Sequence, residues 1–341
     1  MKLKRLKTAI IALLLVLIVF VVTYNLISGR VNNHVVISFT IATDGKALAF
    51  NIVPRKRRSG LYYTGVRASQ EEAYVLIFRE DVPEIISIPE PEGLLAMTWR
   101  PIIEPSELFM AMHPYNKPQR LLSVVPDDVS KMVTRTFPDN LMISSMFWNP
   151  TGQILAFKIL KKGEQKVEGN YLGVSYDEGT NITVTDIAVS NTRLVWTNDK
   201  TLYVQDGNDI LELNITDNNL KVSKTFVSDG DIFLVGSLGQ RVVYFIDDKI
   251  YCGYQLLYQS DQEIENVVAD RSYLALKTSS HVLVLDEEGQ LINKKDIKRD
   301  CRLIGISPTD RFVYLLEERK IIKRYAFEGS NEISIVYEVT K

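Results

Sequence analysis

Residues 146–157 read MFWNPTGQILAF, and the order of those residues sets a local structure. Met146, Phe147 and Trp148 form an apolar, aromatic run of the kind that sits in a strand. Asn149, Pro150, Thr151 and Gly152 then supply turn chemistry. An Asn side chain can cap its own backbone, proline presets φ, and glycine takes positive φ without strain. Ile154 to Phe157 resume an apolar run. The stretch is a strand, a tight reversal and a second strand.

The same unit recurs on both sides of it. Upstream lie FTIATDGKALAF (39–50) and a degenerate copy, MTWRP (97–101) followed by ELFMAM (107–112). Downstream lie IAVSNTRLVWTNDKTLYVQD (187–206), FLVGSLGQRVVYFIDDKIYC (233–252), NVVADRSYLALKTSSHVLVLD (266–286) and IGISPTDRFVYLLEERKIIKRY (304–325). Counting all of them gives seven units, spaced by roughly 35 to 60 residues, enough for about four short strands each. No long segment after residue 30 keeps a 3.6-residue apolar period. A sheet with two apolar faces cannot bury both alone, so such units stack, and closing the stack into a ring removes its open ends. The expected fold is all-β: a β-propeller of seven four-stranded blades.

Trp148-Asn149-Pro150-Thr151-Gly152-Gln153-Ile154-Leu155-Ala156-Phe157 resembles the W-S-P-D-G-x-x-[IL]-A-F repeat of TolB-like and WD-repeat-like propellers. Thr43 to Phe50 and Ile306 to Val313 are similar to it in part. The resemblance extends over residues 35 to 340 and implies a propeller that serves as a binding platform, without implying one activity.

The N-terminus reads differently. Thr8 to Ile27 (TAIIALLLVLIVFVVTYNLI) is an uncharged run of 20 residues. At about 1.5 Å per residue in a helix, that length crosses a hydrocarbon core of about 30 Å. It is longer than the apolar core of a cleaved signal peptide and is followed by no A-x-A pattern. Lys2, Lys4, Arg5 and Lys7 precede it and only Arg30 follows closely, so the positive-inside rule keeps the N-terminus in the cytoplasm. The predicted organisation is a basic cytoplasmic segment (1–7), a transmembrane signal anchor (8–28, contacting lipid through 8–27), a short linker (29–34) and the propeller (35–341). The propeller is thereby placed outside the cytoplasm, in a periplasmic, extracellular or luminal space. The sequons at Asn181 and Asn214 are compatible with that side of a membrane.

Charge excludes one class of partner. The chain of 341 residues carries 40 Lys+Arg and 42 Asp+Glu; setting aside the four cations before the apolar run leaves 36 against 42, a net of −6. A mildly acidic domain has no electrostatic footprint for nucleic acid. Cys252 and Cys301 fall two units apart, so they are expected as buried free thiols rather than a disulfide.

Catalytic constellations are hard to find. His34, His113 and His281 are far apart and have no H-x-x-x-H or H-x-E context, so no metal is expected. Gly173-Val174-Ser175-Tyr176-Asp177 and Gly305-Ile306-Ser307-Pro308-Thr309 each lack the second glycine of a nucleophile elbow. Prolyl-oligopeptidase-type enzymes carry a propeller beside an α/β-hydrolase domain, and with the seventh unit running to the end of these 341 residues none is expected here. Ser175 to Gly179 resembles a sialidase Asp box only in part, and a polar turn is expected there. No P-loop occurs.

Two surface stretches stand out. Arg55-Lys56-Arg57-Arg58 is a compact cationic run, a candidate contact for anionic lipid, cell-wall polymer or an acidic partner. Val82 to Pro105 carries five prolines, at 83, 89, 91, 101 and 105, and is expected as a long loop between blades. Taken together, the residues predict a membrane-anchored interaction scaffold, a subunit of a membrane or envelope complex whose partners are other membrane or envelope proteins. It is read as a non-enzyme with no catalytic residues and no cofactor. A ligand- or glycan-binding sensor using the funnel is the alternative, and a propeller enzyme of the lactonase or lyase type comes third.

Overall fold

The computed structural model describes residues 33–42, 47–55, 74–79, 82–86, 94–101, 107–112, 118–126, 128–138, 140–162, 167–191, 193–216, 219–227, 230–307, 311–329 and 332–339. Their 28 strands form seven antiparallel sheets of four, each built from consecutive strands. Blades 1 to 7 span residues 33–86, 94–136, 141–188, 195–227, 232–259, 266–296 and 301–338. Six of the seven units read from the sequence each fall within one of them. The 187–206 unit begins on the last two residues of blade 3's outer strand, Thr183–Ala188, and continues into blade 4, whose inner strand is Val195–Trp196.

The first strand of each blade lies at the axis and meets its counterparts in the adjoining blades. These inner strands are Asn33–Ile41, Leu94–Arg100, Leu141–Trp148, Val195–Trp196, Ile232–Leu238, Asn266–Asp270 and Cys301–Ser307. Five of the seven carry a bulge, at Ile37, Leu95, Ser144, Val235 and Ile304. A small residue follows each bulge: Ser38, Ala96, Ser145, Gly236 and Gly305. The blades approach so closely there that a Cβ on Gly236 would stand 2.8 Å from the main-chain oxygen of Ala269 in the next blade.

The core is divided among the seams. Among the described residues there are seven apolar clusters, and each joins two neighbouring blades. Alternation along the second strands explains this, because successive side chains point to opposite faces. In blade 3, Leu155, Phe157 and Ile159 face blade 2 while Ala156 faces blade 4. In blade 1, Leu48, Phe50 and Ile52 face blade 7 while Ala47 and Ala49 face blade 2. The small and large residues of A-L-A-F are therefore assigned to different seams.

Ring closure needs no exchanged strand. Val36, Leu48, Phe50 and Leu76 of blade 1 pack on Ile304, Tyr314, Leu316 and Val339 at blade 7. The Val36 N–H also donates to the Arg319 carbonyl at 2.9 Å. Burying several large apolar side chains, each contributing on the order of 1.5–3 kcal/mol, holds the chain's two described ends together.

The 82–105 stretch is not one loop: Val82–Ile86 is the outer strand of blade 1, and Leu94–Arg100 is the inner strand of blade 2. Pro83 is tolerated because an outer strand has a free side where no N–H is required. The expected span at 8–28 lies outside the described residues. Among those described, no helix is long and apolar enough to cross a membrane.

Candidate functional site

The quoted turn builds one end of a cleft between blades 2 and 3. The Asn149 side-chain oxygen accepts the N–H groups of Gln153 and Ile154, both at 2.9 Å, closing the reversal. Gly152 sits at φ 66°, and a Cβ there would stand 2.7 Å from the Pro101 carbonyl oxygen, so glycine is required on both counts. Its own carbonyl accepts from Arg100 Nε at 2.9 Å.

Arg100 then organises the cleft. Its guanidinium lies over the Trp148 ring, 4.9 Å from the centroid, and pairs with Glu178 and, at 3.5 Å, Glu107. Arg135 reaches the other Glu178 oxygen at 2.9 Å and lies 5.8 Å from the Phe109 centroid. Glu178 projects from a polar turn in which Asp177 accepts from the Ser175 hydroxyl at 2.7 Å and the Asn181 main-chain N–H at 2.9 Å. Burial pushes the Asp177 carboxyl up. Hydrogen bonds from Asn181 and Ser175 outweigh it and hold the group below the ordinary carboxylate range. The open cleft, about 640 Å³, is lined by Arg100, Gln153, Ile154, Tyr176, Asp177 and Glu178. Chemically it is a clasp: Arg100 and Arg135 are balanced by the carboxylates of Glu107 and Glu178, with Glu178 reaching across the seam to both arginines.

Blades 4 and 5 meet differently. Tyr203, Phe226, Tyr244, Tyr251 and Tyr254 form a continuous aromatic row across the seam. Phe226 stacks on Tyr254 at 4.6 Å, and Tyr244 on Tyr251 at 5.3 Å. The inner end is buried; burial pushes the Tyr203 hydroxyl well above its ordinary range, and its bond to Glu212 reinforces the shift. The outer end is open. Tyr254 is 70% exposed and Leu256 52%. Sequence reading missed this row. Its signal was the density of tyrosines in VYFIDDKIYCGYQLLY (243–258), which reads as strand composition until the seam partner Phe226 is known.

The residues singled out from sequence are dispersed. Arg55 ends the second strand of blade 1, paired with Asn33; its side chain and all of Lys56, Arg57 and Arg58 lie outside what is described. His113 does too, and His34 is placed only through its backbone. His281 is partnered, with Asp296 at 3.2 Å and the Ser280 hydroxyl at 2.8 Å. Cys252 and Cys301 are free and buried in blades 5 and 7, and burial pushes both thiols up, which makes them poor nucleophiles. Ser175 is engaged by Asp177, and Ser307 is fully buried. Asp300, Cys301 and Glu317 come within ligand range of one another. The Glu317 carboxylate, however, is held below its usual range by the ammonium groups of Lys298 and Lys323, so its charge is already met.

No family model and no curated protein matches the chain. Solved structures do. An acylaminoacyl peptidase from Pyrococcus horikoshii is similar at 12% identity and a TM-score of 0.61, covering 91% of this chain and 53% of that one. The likeness is one of fold. Prolyl oligopeptidase B from Galerina marginata is similar at 10% identity and a TM-score of 0.59, covering 91% and 52%. A chain of a mitotic checkpoint complex follows at 11%, with a TM-score of 0.50 over 71% of this chain and 75% of that one. This chain spans about half the length of either peptidase, and what it has in common with them is the ring.

Proposed function

We propose that the chain is a single-pass membrane protein, N-terminus inside, that displays its propeller outside the cytoplasm as a protein-interaction platform in a membrane or envelope complex. The observation that carries the reading is the aromatic row at the seam of blades 4 and 5, rigid at its buried end and uncapped at Tyr254 and Leu256. Exposed aromatics anchored on a stiff base are what central contacts of protein interfaces are made of. The uncharged run at 8–27, with four cations before it, supports the anchor. Fixing such a platform to a bilayer raises its effective concentration beside other membrane proteins.

Binding rather than catalysis is the activity assigned. Both near-elbow serines are spent, Ser175 on Asp177 and Ser307 in full burial. If the purified chain hydrolysed a peptide, lactone or glycan at a rate abolished by a single carboxylate substitution, this part of the reading would fall. The platform itself is tested by recovering partners from gently solubilised membranes with wild type, a Tyr254→Ala/Leu256→Ser variant, and charge reversal at Arg55, Lys56, Arg57 and Arg58. The seam variant is expected to lose the partner. Loss on charge reversal that fades as salt rises would add the basic run to the contact. Sequencing the mature N-terminus tests the anchor, since a start near Gly29 would remove it.

A further inference from the structure

Arg193 lies on the connection just before the inner strand of blade 4, yet its side chain ends in blades 5 and 6. Nη1 donates to the Val235 carbonyl at 2.8 Å and to the Val267 carbonyl at 3.0 Å. Those residues belong to the inner strands of two successive blades, Val235 at the bulge. Blades 4 and 6 are not neighbours, so a side chain that joins them passes along the axial side of blade 5. The guanidinium therefore stands in the central channel.

Its hydrogen bonding is one-sided. A guanidinium has five N–H donors, and the two carbonyls take those of Nη1. The Nε–H and the two Nη2 donors have no partner among the described residues, and the side chain is half-buried rather than sealed. That free edge is the planar fork that binds two oxygens of a carboxylate or phosphate side by side. The carbonyl pair fixes its direction, so little freedom remains to be lost on binding. Charge points the same way. Burial disfavours the cation, and among the described residues the charged group acting on it is Arg302, of the same sign. The contrast with Arg100 and Arg135, which are both met by Glu178, is direct. A half-buried cation with another cation acting on it has no counter-charge among the described residues, and a bound anion would supply one.

We propose that the central channel holds an oxyanion site in which the Nε–Nη2 edge of Arg193 grips two oxygens of a phosphate or carboxylate, with Arg302 as the second cation. The site does not depend on the aromatic seam and stands whether or not that seam docks a partner.

Equilibrium dialysis of the full chain in a non-ionic detergent, with radiolabelled inorganic phosphate at constant ionic strength, reads it directly; labelled acetate forms a second arm that separates carboxylate from phosphate preference. One saturable anion per chain is expected. Arg193→Lys keeps a positive charge but loses the fork, and should weaken binding about tenfold or more, as loss of a charge-assisted hydrogen bond does. Arg302→Gln should weaken it by a smaller factor. The anion should also raise the melting temperature of wild type and not of Arg193→Lys; a side chain that only staples blades would lower melting equally with and without anion. Absence of saturable binding of both anions to wild type, or undiminished binding by Arg193→Lys, would overturn the site. If Arg193→Lys fails to fold, Arg302→Gln decides, because its exposed side chain can be exchanged without touching a seam. Unchanged binding in that variant would overturn the site.

Discussion

The seam between blades 2 and 3 and the seam between blades 4 and 5 are both lined with aromatics, and they end in opposite ways. At the first, Phe109 and Trp148 meet edge to face at 5.0 Å, and Arg100 and Arg135 lie over them, tied down by Glu178. Each of these two rings has a cation over it, and each cation is paired with a carboxylate. At the second, the rings continue outward through Phe226 to Tyr254, and among the described residues no cation lies over them. The difference teaches which seam is finished. A capped seam is part of the ring's stability, while an uncapped one leaves apolar area that another surface can bury.

The largest effect should come from breaking the capped seam at its centre. Trp148 is only 7% exposed and packed between blades, so Trp148→Ala is expected to cost roughly 3–5 kcal/mol in thermal or denaturant unfolding. Its indole N–H has no partner among the described residues. Trp148→Phe, which keeps a ring and drops that donor, should therefore cost much less. An unchanged melting point for the alanine variant would mean that the seam is not closed as described.

Gly152→Ala should follow, at about 1–3 kcal/mol, since the new methyl meets positive φ and the Pro101 carbonyl at once. Asp177→Ala sharpens the same seam through pH. The folded carboxyl is held below its ordinary value, so its contribution is fully present above the unfolded pKa of about 3.9 and is lost as pH falls through the lower folded value. The variant should melt below wild type at pH 7, and the gap should narrow under strong acid. A gap that widened in acid would reverse the assigned sign. Smallest in stability is Tyr254→Ala at the open seam, expected within about 0.5 kcal/mol of wild type because the side chain is mostly in water. A cost like that of Trp148→Ala would show Tyr254 to be structural and erase the contrast.

Much of the ring was legible because its unit repeats and each residue in the unit has a local task. Asn149 closes its own turn, and Asn198 does the same in blade 4 by accepting the N–H groups of Lys200 and Thr201, both at 2.9 Å. Small residues at the inner strands and alternating A-L-A-F patterns could be read in the same way. The 82–105 stretch was misread because prolines argue against a central strand, while an outer strand next to an inner one looks the same in sequence. Arg193 was invisible for a different reason. Its partners lie 42 and 74 residues downstream and are main-chain oxygens, which leave no trace in side-chain identity. The aromatic row needed Phe226 and Tyr254, from different blades, to be brought face to face.

The open seam is most directly tested by installing a photo-reactive phenylalanine analogue at position 254 in the membrane-bound chain, with one at the exposed Arg299 position between blades 6 and 7 as control. A platform that docks through blades 4 and 5 should give a discrete adduct with one other membrane or envelope protein from position 254 and none from 299. Purified, that protein should bind wild type and lose affinity for the Tyr254→Ala/Leu256→Ser variant. The same faint, heterogeneous labelling from both positions, or binding indifferent to the double substitution, would contradict the account.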